Sequence, residues 1–196
     1  MRVKASMLAK DYKPSFLSFE KDQELIWRRL FIDNRQYGDM VKRLLVINSP
    51  DCMDMTNYQY QRIIDGTSIK DLRDMKCIRA VPRLEFGEHE EMKSYILLTF
   101  DDVTATSNPE YNDYVISFTV ISPLDEWEMN DYKLRPWQIA GYIHGVMNNA
   151  RFTGIGELQF LSASEIVLNE HLAGVMLRYV ATQSEEADKN PEILES

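Results

Sequence analysis

Apolar positions along the chain fall into two textures. From Phe19 to Met75 they recur at helical spacing. Phe19-Glu20-Lys21-Asp22 opens a helix carrying Leu25, Ile26, Trp27, Arg28, Arg29 and Leu30, with Asp22 placed to cap its first-turn amides. Met40, Val41, Leu44 and Leu45 draw one apolar stripe of a second helix. That stripe stops at Asn48-Ser49-Pro50, because the residue before proline disfavours helix. Tyr58 to Ile64 and Ile69 to Met75 read as two short helices separated by Asp65-Gly66. Residues 1–18, with Pro14 and scattered aromatics, read as irregular.

After Met75 the period shortens to that of strands. Cys77 to Val81 predicts a strand ended by Pro82. Ser94 to Phe100 is apolar on both parities, as in a strand covered on both faces. Asp101 to Asn112 reads as a polar loop. Tyr114 to Ile121 alternates, with Tyr114, Ile116, Phe118 and Val120 on one face and Ser117 and Thr119 on the other. That is the pattern of a half-buried strand. Pro123 to Tyr132 reads as a loop. Leu134-Arg135-Pro136-Trp137 then opens a helix with Pro136 near its start, and Ile139, Ile143, Val146, Met147 and Ala150 form its apolar stripe. Gly154-Ile155-Gly156 reads as a turn. Strands follow at Glu157 to Leu161 and Leu172 to Ala181, with a short one at Glu165 to Asn169. Helices grouped apart from neighbouring strands predict an α+β fold: a mainly antiparallel sheet with one packed C-terminal helix, preceded by a helical N-terminal region. The division expected is a helical region at 1–75, an α+β domain at 76–183 and an acidic flexible tail at 184–196.

Composition adds limits. The chain has 196 residues, 22 Lys+Arg, 31 Asp+Glu and a net charge of -9. That length buries a core without staples. The acidity is uneven. Residues 1–50 hold ten Lys/Arg against six Asp/Glu, a balance of +4, and the remainder carries −13. A binder that grips nucleic acid through overall positive charge is excluded by that balance. The N-terminus lacks the apolar core of a signal peptide, and no apolar run approaches a membrane span. Cys52 and Cys77 are too few for a disulfide framework and are expected to be thiols of a soluble cytosolic protein.

No motif carries recognised chemistry. His89, His144 and His171 are widely spaced, and Glu88-His89-Glu90-Glu91 lacks the second histidine of a zinc helix. Gly154-x-Gly156-x-x-Gln159 lacks the third glycine of a dinucleotide fingerprint and leads from a helix into a strand, the reverse of the required order. Gly141 and Gly145, one turn apart, read as a close-packing surface. Ser162 and Ser164 have no nucleophile-elbow context. Asp51, Asp54, Asp101, Asp102, Asp125, Glu126 and Asp131 supply carboxylates, and an acidic active site or cation site requires some of them to converge. Trp127, in a polar loop just after a strand, is costly to leave in water. With Arg135 and Trp137 it forms the set of residues expected to contact a partner, since Trp and Arg anchor interfaces. Core packing is the alternative reading of both tryptophans.

The order of elements from Ser94 to Thr182 resembles a known family. A strand (Tyr95 to Phe100), a loop, and a strand ending in a polar Trp loop (Ile116 to Trp127) come first. Leu134-Arg135-Pro136-Trp137 then opens a helix. A Gly-Ile-Gly turn, a strand (Leu158 to Phe160) and a closing strand with Gly174-Val175-Met176-Leu177-Arg178-Tyr179 complete the series. In this it resembles the tail-terminator and tail-completion (neck) proteins of long-tailed bacteriophages. The resemblance covers about half the chain and rests on structural motifs. It implies a non-enzymatic α+β virion subunit with no cofactor and no catalytic residues. Its partners would be copies of itself in a ring, commonly a hexamer, and tail tube, sheath or head connector proteins. DNA would pass through the lumen without sequence-specific binding. The helical first 75 residues exceed what a minimal tail terminator needs. Two other readings stay open: a small cytosolic enzyme or ligand-binding domain in which Asp101, Asp102, Asp125 and Asp131 converge, and a DNA mimic with carboxylates in a row.

Overall fold

The computed structural model describes residues 19–80, 93–105, 111–152 and 155–184. Residues 1–18, the Glu88–Glu91 run with His89, Gly154 and the acidic end 185–196 lie outside the described residues. Four helices come first: α1 (Phe19–Arg28), α2 (Arg35–Val46), α3 (Tyr58–Gly66) and α4 (Ile69–Asp74). The strands are β1 (Ile78–Arg79), β2 (Tyr95–Ala105), β3 (Tyr111–Pro123), β4 (Arg151–Phe152), β5 (Gly156–Glu157), β6 (Gln159–Val167) and β7 (Leu172–Ser184). Helix α5 (Arg135–Met147) lies between β3 and β4. The main sheet has the order β1-β2-β3-β7-β6, and β4 and β5 form a separate pair. Every contact in the main sheet is antiparallel except β1 with β2. The α+β architecture is the one expected from the sequence.

One core joins the helices to the sheet. Ile26, Trp27 and Leu30 from the first helical segment, Val41 and Leu44 from α2, and Ile139 and Ile143 from α5 are all buried. They pack on Ile96 and Leu98 of β2, Ile116, Phe118 and Val120 of β3, and Val175, Leu177 and Tyr179 of β7. Phe118 sits at its centre, edge-on to Trp27 at 6.4 Å and to Tyr179 at 5.9 Å. The opposite face of the sheet has a smaller buried cluster of Tyr95, Leu97, Ile121 and Leu172.

Several local expectations change. Asp22 lies inside α1 and is buried, rather than capping it; a carboxylate in the first turn is still favoured by the helix dipole. The first helix then continues as a π-helical turn, Arg29–Asp33. There Gly38 of α2 crosses so closely that a Cβ would stand 2.6 Å from Leu30 O. The polar stretch Asp101–Asn112 is not all loop. β2 runs on to Ala105 and β3 begins at Tyr111, with a bulge between Phe100 and Val103. The bulge lets Asp101 accept hydrogen bonds from Thr99 and Ser117. Ser117 and Thr119 are buried, because β3 is a central strand flanked by β2 and β7 and covered on its second face. Glu157–Leu161 and Glu165–Asn169 are not separate strands: Gln159–Val167 forms one, β6.

Gly174 of β7 has a definite steric reason. A Cβ there would stand 2.0 Å from Val120 O and 3.2 Å from Ile121 Cα, so β3 and β7 approach as only glycine permits.

Candidate functional site

The residues expected at a partner surface divide sharply. Arg135 is buried at the start of α5. Its guanidinium donates to Leu44 O (2.8 Å), Ile47 O (3.1 Å), Ser49 O (2.8 Å) and Glu126 O (3.1 Å). Two of these carbonyls lie at the C-terminal end of α2, where the helix leaves carbonyls unpaired and its dipole is negative. Arg135 is thus occupied inside the subunit, joining α2, the loop after it and the Pro123–Tyr132 connection. Trp127 is partly buried in that connection, and its carbonyl accepts from the Arg135 amide. Trp137, two residues on, is 36% exposed. Its indole Nε1 donates to Glu165 of β6 at 2.9 Å.

A second buried arginine supports the same loop. Arg43 donates to Cys52 O and Asp54 O, both at 3.4 Å, and to Gln61 Oε1 at 2.7 Å. Pro50 O also accepts from Asn130 N, and Cys52 Sγ meets Met129 Sδ at 3.7 Å. These ties border a recess of about 100 Å³ lined by Pro50, Asp51, Met53, Asp54, Met129, Asn130 and Lys133. Hydroxyls of Ser49 and Tyr60 hold the Asp51 carboxyl below its usual range, and Thr56 does the same for Asp54. Both are therefore ionised at neutral pH, opposite to what a general acid requires. Glu126 is lifted by burial, opposed by the Arg135 guanidinium.

Asp101, Asp102 and Asp125 do not form one site. Asp101 accepts from Ser117 in mid-strand. Asp125 follows Pro123 at the end of that strand, about 20 Å further on at the usual rise per residue. Asp102 pairs with Arg178 at 3.5 Å. No group of three or more His, Cys, Asp or Glu among the described residues is placed to hold a metal ion. Burial pushes the thiols of Cys52 and Cys77 up, as suits structural cysteines. His144 is a satisfied core-edge histidine, with Nδ1 3.2 Å from Tyr179 OH and its ring edge-on to Phe160 at 4.8 Å. Among the described residues no helix is long and apolar enough to cross a membrane.

What stands open is β6. It is the last strand of the main sheet, paired with β7 alone among the described residues. Seven of its nine residues are exposed, including Phe160, Leu161 and Val167, and Leu168 beyond it is exposed too. Strands left at a solvent edge usually carry lysine or proline to deter pairing; β6 has neither, and its one charge is Glu165. A bulge between Phe160 and Ser162 leaves Leu161 outside the ladder with β7. The neighbouring surface of α5 is low: Gly141 is exposed with nothing within 4 Å of where a Cβ would be, so the close packing expected there is absent. Gly145 does pack, against the Tyr37 ring at 3.7 Å. Sequence reasoning missed β6 because its exposure follows from strand order rather than from its residues.

No curated protein matches the chain. Among solved structures it is similar to a chain from the virion of a native gene transfer agent (GTA) particle. The identity is 15%, with 64% of this chain and 90% of that chain covered and a TM-score of 0.40, a loose likeness that assigns neither fold nor function. The family profile of YomW matches residues 39–181, from α2 through nearly all of β7 and so across both the helical layer and the sheet. With most of its length matched, the chain belongs to the YomW family.

Proposed function

We propose that this protein is a non-enzymatic structural subunit of a tailed-phage virion, forming a ring at the tail end or head–tail junction. The observation that carries this reading is the open edge of β6, a nine-residue strand without lysine or proline and with Phe160, Leu161 and Val167 exposed, beside Trp137 and the bare surface at Gly141. A ring subunit needs such an edge and needs no chemical pocket. Membership of YomW, a phage-type family, supports it, as does the order of elements from Ser94 to Thr182. The ring is of hexamer type, its neighbours are tail tube, sheath or connector proteins, and its acidic surface repels phosphates so that DNA slides through the lumen. Asp101 and Asp125, kept apart by the length of β3, weigh against the carboxylate-pocket alternative.

The test is assembly. The purified protein is expected to be monomeric or weakly associated alone, and to close into rings, seen by negative-stain microscopy, when mixed with tail or connector proteins. A tight monomer that never joins a particle overturns the reading.

A further inference from the structure

Glu126 closes the short turn Leu124–Glu126, between the end of β3 and Trp127. Its backbone and its side chain meet different fates. The backbone carbonyl accepts from Arg135 Nε at 3.1 Å. The carboxylate Oε2 is sealed from solvent and has no hydrogen-bond partner among the described residues. The nearby donor is the buried Arg135 guanidinium, but it already spends four hydrogens on the carbonyls of Leu44, Ile47, Ser49 and Glu126 itself. A buried acceptor left without a donor is costly, and more so when it carries charge.

Burial is the largest influence on this carboxyl, and it favours the protonated form. Two charged groups act on it as well. Arg135, from the start of α5, favours the ionised form, and Asp125, beside it in the same connection, opposes it. The balance holds the proton on Glu126 above the ordinary glutamate range. Asp51 and Asp54 go the other way, because hydroxyls of Ser49, Tyr60 and Thr56 donate to them. The place of Glu126 in the fold therefore suits a neutral side chain better than a charged one.

We propose that Glu126 is a proton-operated latch on the Pro123–Tyr132 connection, tightened when its carboxyl gains a proton and loosened when it loses one. Neutral, the side chain stays under cover beside Arg135 without the cost of a buried charge. Ionised, it is drawn toward water, and the turn Leu124–Glu126 is drawn with it. Trp127 comes next in the chain and is tied by its carbonyl to the Arg135 amide at 2.8 Å. Loosening of the turn is therefore felt as greater exposure of its indole. A carboxyl that holds its proton more tightly in the folded chain than in the unfolded one makes the fold more stable as pH falls through that window, and less stable as pH rises through it. The latch works within one subunit and does not depend on the ring.

The test compares the native full-length chain with Glu126→Gln, which keeps the shape of the side chain and carries no charge at any pH. Melting temperatures are taken from about pH 8 down to about pH 4, a range that spans the titration of a raised glutamate. The Gln variant is expected to melt about 2 °C above the native chain at the alkaline end, with the gap closing toward the acid end. Taking the difference at each pH cancels the other carboxyls, Asp51 and Asp54 among them. A Gln variant that melts below the native chain at the alkaline end, or a gap that does not change with pH, overturns the latch. A second readout is fluorescence in a Trp137→Phe background, where Trp27 is fixed in the core and the change in emission reports Trp127. The emission is expected to move to the blue on acidification, and to stay there at every pH once Glu126→Gln is added. A pH-dependent move that survives the Gln change overturns the latch. Should the Gln variant fail to fold, the Glu126 carboxyl carbon is followed by NMR in the native chain: a midpoint above the ordinary glutamate range upholds the proposal, and one at or below it overturns it.

Discussion

On one side of the molecule, the loop between α2 and α3 is fixed by Arg43 and Arg135, two buried arginines whose donors end mainly on backbone carbonyls. On the other side, β6 carries one charge, exposes seven of its nine residues and has a sheet partner on a single side among the described residues. By residue type the expectation runs the other way. Arginine beside tryptophan suggests a surface anchor, and a Phe-Leu-Ser-Ala-Ser strand suggests the interior. The difference shows that what an arginine does depends on who supplies acceptors. Arg135 begins α5 beside the end of α2, and carbonyls of that helix end, of the loop after it and of Glu126 accept four of its hydrogen bonds. β6 has apolar side chains but is last in the strand order, so no other strand among the described residues pairs with its outer edge.

The sharpest challenge to this contrast comes from the closed side. Gly174→Val drives a branched side chain into Val120 O and is expected to cost about 3 kcal/mol or more, or to prevent folding. Thermal melting or soluble yield measures it, and a native-like melt would show that β3 and β7 can separate freely. Arg135→Met comes next. It leaves four carbonyl contacts without their donor and is expected to cost about 3 kcal/mol, lowering the melting temperature by about 10 °C. If Arg135 instead served a partner, the isolated subunit would keep its stability and only assembly would suffer. Ser164→Lys inverts that pattern. On the exposed edge it is expected to change stability by less than about 0.5 kcal/mol while abolishing assembly in sedimentation experiments. The smallest effect is at Gly141. With open space around it, Gly141→Ala is expected to raise stability by about 0.5–1 kcal/mol. A drop in ring formation at the same time would show that a neighbour approaches that bare surface.

Much of the fold was legible from the pattern alone, and the reasons are local. The stripe Met40, Val41, Leu44, Leu45 gave α2, and the two-parity run from Tyr95 to Leu98 gave a strand covered on both faces. What escaped depended on tertiary partners. Asp101 and Asp102 look like loop residues, yet they are carried in β2 because a bulge lets Asp101 take up the hydroxyls of Thr99 and Ser117. Ser117 and Thr119 alternate like solvent-facing residues, yet the central place of β3 buries them. Of the three residues singled out at the surface, Trp137 alone is exposed, its indole reaching β6, while Arg135 is claimed by carbonyls at the end of α2. The open edge itself was illegible, since strand order is a property of the whole sheet.

The bulge at Leu161 has a consequence of scale. From Ser162 to Val167 the edge is regular for six residues, about 20 Å at the usual rise, and at Leu161 it breaks step. A strand laid along this seam would meet six residues in regular step before the bulge. The regular part of this seam thus ends at one leucine that pairs with nothing across the ladder.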